Sequence, residues 1–344
     1  RMMERIDFLW DSCQKYGKKS CLILTYLTLV CFCGFRFFVG NDYAGYVKHF
    51  SLISIYEENV IFIEPGYYAL NLLFKWSPVG YFYVFFIATA LSYFFILRQL
   101  CYERILKWGI FSLVSLGCLI WMNDIIRQGI AFSIFIYSLR YMKKGDFLSY
   151  FICVAIACLF HYSAVVLLFF YFLRYLRLSS IVWILLIILT FVLQYAGIFR
   201  ELLKSLIAMI PYYGAYANKA DQYFVTGSVV GIGLIYKQLI AMCIALFYPK
   251  ISNKFYATLF LSGCVLDNIF LGTFIFERIS NYLVYTNIMV FPYFFKSVCS
   301  QRIRFLIVYI ILIYSALLVL TIIAVSKICE NRRWFLYGAE FVLI

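Results

Sequence analysis

The chain has 344 residues, 65% hydrophobic, 22% aromatic and only 13% charged, with a formal net charge of +14. Repeated apolar runs of about 17–22 residues, each suited to a hydrocarbon core of roughly 30 Å, exclude a soluble domain and predict an all-α, polytopic membrane protein. They also exclude a β-barrel, whose strands alternate apolar and polar residues. Lys and Arg cluster between the runs, a pattern that fits membrane orientation rather than nucleic-acid binding.

In chain order the hydropathy predicts about eleven spans, at roughly 21–39, 79–97, 105–122, 125–141, 147–160, 162–176, 180–196, 229–248, 255–274, 279–295 and 304–325. The whole of 1–344 reads as a single polytopic membrane domain, with its longest connections at 40–78 and 197–228. The first run is too long for a cleavable leader, and no small-residue cleavage site follows it. Within the first connection, residues 64–75 are short and amphiphilic, with Pro65 suited to a first helical turn. This segment is expected to form a partial or interfacial helix on the outer side. The 12 cysteines are scattered and show no zinc or disulfide spacing.

Charge sets the orientation. With the N-terminus inside, inner segments hold 18 of the 30 Lys and Arg residues but only five of the 16 acids. The inner balance is then +13 and the remainder +1, as the positive-inside rule requires. In this threading Arg36, Asp42, Glu64, Asp124, Arg127, His161, Lys237, Asp267, Glu277 and Arg278 gather near the outer ends of different helices. A charge near lipid is expensive, so it faces a protein interior and marks a candidate site.

Each of these residues has a bland reading beside a functional one. Asp124 caps the fourth span and pairs with Arg127 at i,i+3, or Arg127 holds an anion at a helix N-terminus. His161 is a satisfied core histidine, or a general base in the turn between two short helices. Arg36 snorkels at a helix end or faces the cavity. Lys237 snorkels or joins an anion site, Asp267 caps or polarises the end of its span, and Glu277 with Arg278 forms a self-satisfied ion pair. Tyr212 and Tyr213 belong to an aromatic cluster that anchors at the interface or packs on sugar rings. Asp42 and Glu64 are two acids where a divalent metal would need more, so no metal or cofactor is expected.

Arg36…Asp42…Tyr46, Glu64-Pro65-Gly66-Tyr67, Ile126-Arg127-Gln128-Gly129-Ile130-Ala131, Phe160-His161-Tyr162-Ser163-Ala164 and Arg278…Tyr282 resemble the EpsG-like, Wzy-type polysaccharide polymerases of bacteria. The resemblance spans about residues 21–295. It implies O-antigen or exopolysaccharide polymerisation at the periplasmic face of the inner membrane. Donor and acceptor would be oligosaccharides on undecaprenyl pyrophosphate, and transfer would be metal-independent and inverting. A flippase and a chain-length regulator are implied as partners, alongside membrane lipid. Arg127, Arg278, Arg36 and Lys237 would hold pyrophosphate, with His161 as base and Asp42 or Glu64 as second candidates. Asp124, Tyr212, Tyr213 and Tyr282 complete the candidate binding set. Two rival classes are a lipid-linked oligosaccharide flippase, which should show two similar halves, and a membrane O-acyltransferase using His161.

Overall fold

The computed structural model describes residues 18–37, 40, 42–54, 63–208, 232–297 and 312. Its elements among these residues are helices: α1 Lys18–Gly34, α2 Tyr43–Ser54, α3 Pro65–Leu72, α4 Gly80–Tyr102, α5 Leu106–Ser115, α6 Cys118–Asp124, α7 Ile126–Lys144 and α8 Phe147–Cys158. After a 3₁₀–α–3₁₀ stretch at residues 162–175 come α9 Ser180–Tyr195, α10 Ile198–Ala208, α11 Ile232–Leu246, α12 Lys254–Phe270, α13 Phe274–Val284 and α14 Asn287–Ser297. Among the described residues the connection at 40–78 carries α2 and the short α3, and Pro65 does open the latter.

The expected spans divide more finely than hydropathy implies. Among the described residues, α4 alone is long and apolar enough to cross a bilayer by itself. The run at 105–122 is not one rod: α5 and α6 meet at 61°. Gly117 makes this bend, in the left-handed region at φ 79°, where a Cβ would be strained. The run at 279–295 also divides, between α13 and α14, where the Thr286 hydroxyl takes the Leu283 carbonyl at 2.6 Å. Five further apolar helical stretches are 10–17 residues long, shorter than the roughly 20 residues a straight crossing needs. The eleven-span count therefore remains an expectation, and the run at 304–325 lies outside the described residues apart from Leu312.

The stretch from Tyr162 is irregular and is tied to α8, where Tyr150 Oη donates to the Leu167 carbonyl at 2.6 Å. Large apolar side chains along α8, this stretch and α9 face outward, among them Leu148, Phe169, Phe172, Ile181 and Leu185. Such a continuous apolar exterior is a liability in water and natural against lipid tails.

α7 is the central rod. It packs along α4 and α8 and is buried over most of its length. Its C-terminal end carries a polar lock: Arg140 donates to Gln99 at 2.9 Å and lies over the Tyr137 and Tyr102 rings. Beside it Glu103 accepts from Tyr256 at 2.8 Å and Lys143 at 3.0 Å. The N-terminal end of α7, roughly 20 Å away at 1.5 Å per residue, carries Arg127.

Candidate active site

Three separate segments meet at that end. The first is the turn before α3, where Glu64 is buried to 3% exposure. The second is the start of α7, where Arg127 occupies the second helical position. The third is the extended residue after α8, His161, at 7% exposure. Glu64 joins the other two: its Oε2 accepts from Arg127 Nη1 at 2.6 Å, and its Oε1 lies 3.0 Å from His161 Nδ1. The Tyr46 and Tyr67 rings flank the Arg127 guanidinium, 5.8 and 5.6 Å from their centroids.

This geometry gives His161 a direction. A carboxylate facing Nδ1 selects the tautomer with the proton there, because an ionised carboxylate can only accept. Nε2 then carries the lone pair, and it is buried with no partner among the described residues. Burial pushes the His161 pKa down, and the Glu64 hydrogen bond and charge only partly offset this. The imidazole is therefore neutral at neutral pH and able to accept a proton.

Glu64 behaves oppositely. Burial raises its pKa, but the His161 hydrogen bond and the Arg127 charge outweigh that and hold it at about 2. A carboxylate whose folded pKa lies below its ordinary 4.5 contributes stability that is fully present above the ordinary value. That contribution is lost as pH falls towards the folded value. Thermal stability of the solubilised protein should thus fall between about pH 4.5 and pH 2, and Glu64→Gln should flatten the fall. An unchanged slope in that variant would show that the cluster does not set acid stability.

A backbone tie holds the acid and the histidine in register. The Gly66 N–H donates to the Leu159 carbonyl at 2.7 Å, linking the residue two after Glu64 to the residue two before His161. A Cβ on Gly66 would stand 2.8 Å from that carbonyl oxygen.

Other candidates group around this centre with different partners from those expected. Asp124 ends α6, and Ile125 separates it from α7. It neither caps α7 nor pairs with Arg127; instead its Oδ1 accepts the Asp42 backbone N–H at 3.3 Å. Arg36, at 6% exposure, donates to the Asn123 carbonyl and lies 4.8 Å from the Phe85 ring centroid, so its guanidinium is largely committed to packing. Arg278 does not pair with Glu277, which accepts the Gly272 N–H at 2.7 Å. The Arg278 backbone carbonyl accepts from Gln128, which ties α13 to α7. Its guanidinium has no hydrogen bond or ion pair among the described residues, yet lies within electrostatic reach of Asp42, Tyr46 and His161.

Lys237 stands elsewhere. It pairs with Asp267 at 3.0 Å, and Ser280 donates to the second Asp267 oxygen at 3.1 Å. Lys237 is thus neutralised rather than a free cation, and Asp267 holds side chains instead of capping its helix. Tyr282 is fully buried, edge-on to Phe135 and 3.5 Å from Ser163 Oγ. It supports the His161 turn from behind. Tyr212 and Tyr213 lie outside the described residues. Among the described residues no group of three His, Cys, Asp or Glu side chains is arranged to hold a metal ion.

Asn123 and Gln128 were given no site role by sequence, although both are polar residues beside apolar runs. That is the same signal that marks their charged neighbours.

A helical, lipid-compatible exterior around a buried Glu–His–Arg cluster defines a membrane protein with acid–base groups at one end of its helices. Residues 19–338 match the EpsG family, and the chain belongs to it. EpsG is a Wzy-like polysaccharide polymerase family of membrane proteins. Comparison with curated proteins and with solved structures returns no match.

Proposed function

We propose that this chain polymerises lipid-linked saccharide repeat units by inverting, metal-independent glycosyl transfer. The observation that carries the reading is the Glu64 carboxylate on His161 Nδ1, which leaves Nε2 free as a base. The donor would be a glycan on undecaprenyl pyrophosphate and the acceptor a second lipid-linked unit. The cluster would face the periplasm of a bacterial inner membrane, with the N-terminus cytoplasmic. The product would be O-antigen or exopolysaccharide.

The bond changes balance without a cofactor. An acceptor hydroxyl gives its proton to His161 Nε2 as its oxygen bonds to the anomeric carbon of the donor. The bond from that carbon to the pyrophosphate oxygen breaks, and the leaving group departs with the electron pair. Charge therefore develops on the pyrophosphate in the transition state, where a preorganised cation is most effective. Arg278, with no partner among the described residues, is best suited to receive it, since its planar fork matches phosphate oxygens. Arg127, already paired, orients Glu64, and the unbonded N–H groups at the start of α7 add positive potential nearby.

The test is the length of lipid-linked glycan in a strain lacking the gene and complemented at matched protein levels. Wild type should restore ladders where the deletion shows single units. Arg278→Ala should lower polymer yield about 10- to 100-fold, the worth of roughly 1.5–3 kcal/mol for a hydrogen bond to a charged group, and Arg278→Lys should recover part of it. Ladders that persist in the deletion strain would overturn the polymerase reading. Retained anomeric configuration in the new linkage would overturn direct displacement.

A further inference from the structure

The short helix α2 turns one stripe of side chains towards the Glu–His–Arg cluster. Asp42 stands just before its first turn, where its carbonyl accepts the Tyr46 N–H at 3.0 Å. Tyr46 and His49 follow four and seven residues on, and such spacing puts all three on one helix face. The Tyr46 ring is buried, with Arg127 on one side and Tyr67 edge-on at 5.9 Å. His49 meets Tyr46 edge-on at 6.3 Å. Asp42 and His49 therefore flank Tyr46 with a separation of about 10 Å along the axis. Both lie within electrostatic reach of Arg127 and of each other.

Neither end group is used inside the protein. Among the described residues the Asp42 carboxylate makes no hydrogen bond or ion pair, and neither of its oxygens is enclosed. His49 is half-buried: Nδ1 is enclosed, Nε2 is left open, and neither has a hydrogen bond among the described residues. Burial, and after it the Arg127 charge, push the His49 pKa down, so the ring is neutral at neutral pH. Its open nitrogen then offers one hydrogen bond without adding charge.

The space between the two groups is empty. Gly45 lies on the same side of α2, three residues after Asp42 and four before His49. Among the described residues no atom stands within 4 Å of where a Cβ on Gly45 would be. The helix thus presents a shallow trough with an open carboxylate at one end and an open imidazole at the other.

Chemistry selects the occupant. A carboxylate repels phosphate and accepts readily from hydroxyls, and an alkyl chain has no use for either group. The pattern suits a hydroxylated ligand lying along the helix, and the span between its ends suits two linked sugar rings. Arg278, assigned above to pyrophosphate, lies within electrostatic reach of Asp42 but does not pair with it. A sugar ring joined to that pyrophosphate would therefore meet Asp42 first and lead its neighbour towards His49.

We propose that this face of α2 is the donor-sugar subsite: Asp42 binds hydroxyls of the ring that carries the pyrophosphate, and His49 Nε2 binds the next ring across Gly45. The proposal rests on the polymerase reading and deepens it, because it separates a place for sugar from the place for pyrophosphate. It also gives a role to His49, the histidine outside the Glu64 contact.

The test uses the full chain in lipid nanodiscs and two probes followed by titration calorimetry. One is the repeat-unit oligosaccharide released from the host's own glycan by mild acid, and the other is inorganic pyrophosphate. Gly45→Ala, which adds one methyl group, should bind the oligosaccharide as wild type does. Gly45→Phe, which fills the trough, and His49→Ala should each weaken that binding at least tenfold. Both should keep wild-type affinity for pyrophosphate, which Arg278→Ala should lose. The phenylalanine enters open space and replaces a residue that costs a helix stability, so Gly45→Phe should melt no lower than wild type. Wild-type oligosaccharide affinity in either variant, no oligosaccharide binding to wild type, or loss of both probes in Gly45→Phe would overturn the subsite. The glycan-ladder assay keeps the two ideas apart. Persistent ladders in the deletion strain defeat the polymerase reading, whereas wild-type ladders and wild-type affinity in Gly45→Phe defeat only the subsite.

Discussion

Glu64→Gln should leave a folded, membrane-inserted protein whose polymer yield is lower by on the order of 10²–10⁴-fold. The glutamine has nearly the shape of Glu64 but one acceptor oxygen where the carboxylate has two. Arg127 Nη1, 2.6 Å from the acid, can only donate, so the amide oxygen turns to it. The amide NH₂ then faces His161 Nδ1, 3.0 Å from the acid in the wild type. Two donors cannot share that contact, so the ring proton moves to Nε2. The lone pair required of a base is then turned towards Glu64, away from the free side of the ring. Glu64→Ala is a poorer test, because stranding a partly buried Arg127 would cost about 3–5 kcal/mol.

The comparison with His161→Ala decides what the acid does. If Glu64 acts through the histidine, the double variant Glu64→Gln/His161→Ala should be no worse than His161→Ala alone, because residues that work as a unit are not additive. Multiplied losses would mean that Glu64 touches substrate independently. Near wild-type ladders in Glu64→Gln would remove the tautomer argument altogether. The lipid-linked glycan assay reads all three, with protein levels matched by immunoblot.

Much of the fold class was legible because lipid compatibility is a property of composition. Helix breaks were not. An apolar window averages over Gly117, whose left-handed backbone makes the α5–α6 bend, and over residues 285–286, where α13 gives way to α14. The candidate site was legible as a set of residues but not as a set of partners. Asp124 and Arg127 sit at i,i+3, which on a continuous helix would pair them, yet Ile125 puts them on different helices. Arg127 instead meets Glu64, 63 positions away, and His161 meets the same acid across 97. Lys237 finds Asp267 across 30. No periodicity encodes such pairings, since packing of separate helices sets them. What local sequence did carry was the expense of each charge beside an apolar run, and that expense singled out both ends of the Glu64–His161 contact.

Gly66→Ala should reduce polymerisation on the order of 10²-fold without altering any group that meets substrate. The new Cβ would lie 2.8 Å from the Leu159 carbonyl oxygen and 3.1 Å from the carbonyl carbon. Both are backbone atoms at the end of α8, so no side chain can rotate away. Relief requires the turn before α3 to move away from the turn carrying His161, stretching the 2.7 Å Gly66–Leu159 hydrogen bond. Glu64 moves with its own turn, and its hold on His161 Nδ1 loosens. Overpacking of this kind costs about 1–3 kcal/mol, so the variant should also melt earlier. The two effects can be separated. If Gly66 acts by keeping acid and histidine in register, Gly66→Ala should lose little further activity when placed on Glu64→Gln, where that register is already broken. Its stability loss should remain. A full additional loss of activity on the Glu64→Gln background would instead assign Gly66 to the substrate path. Wild-type ladders in Gly66→Ala alone would show that the contact between these turns tolerates a methyl group and does not set the geometry of the base.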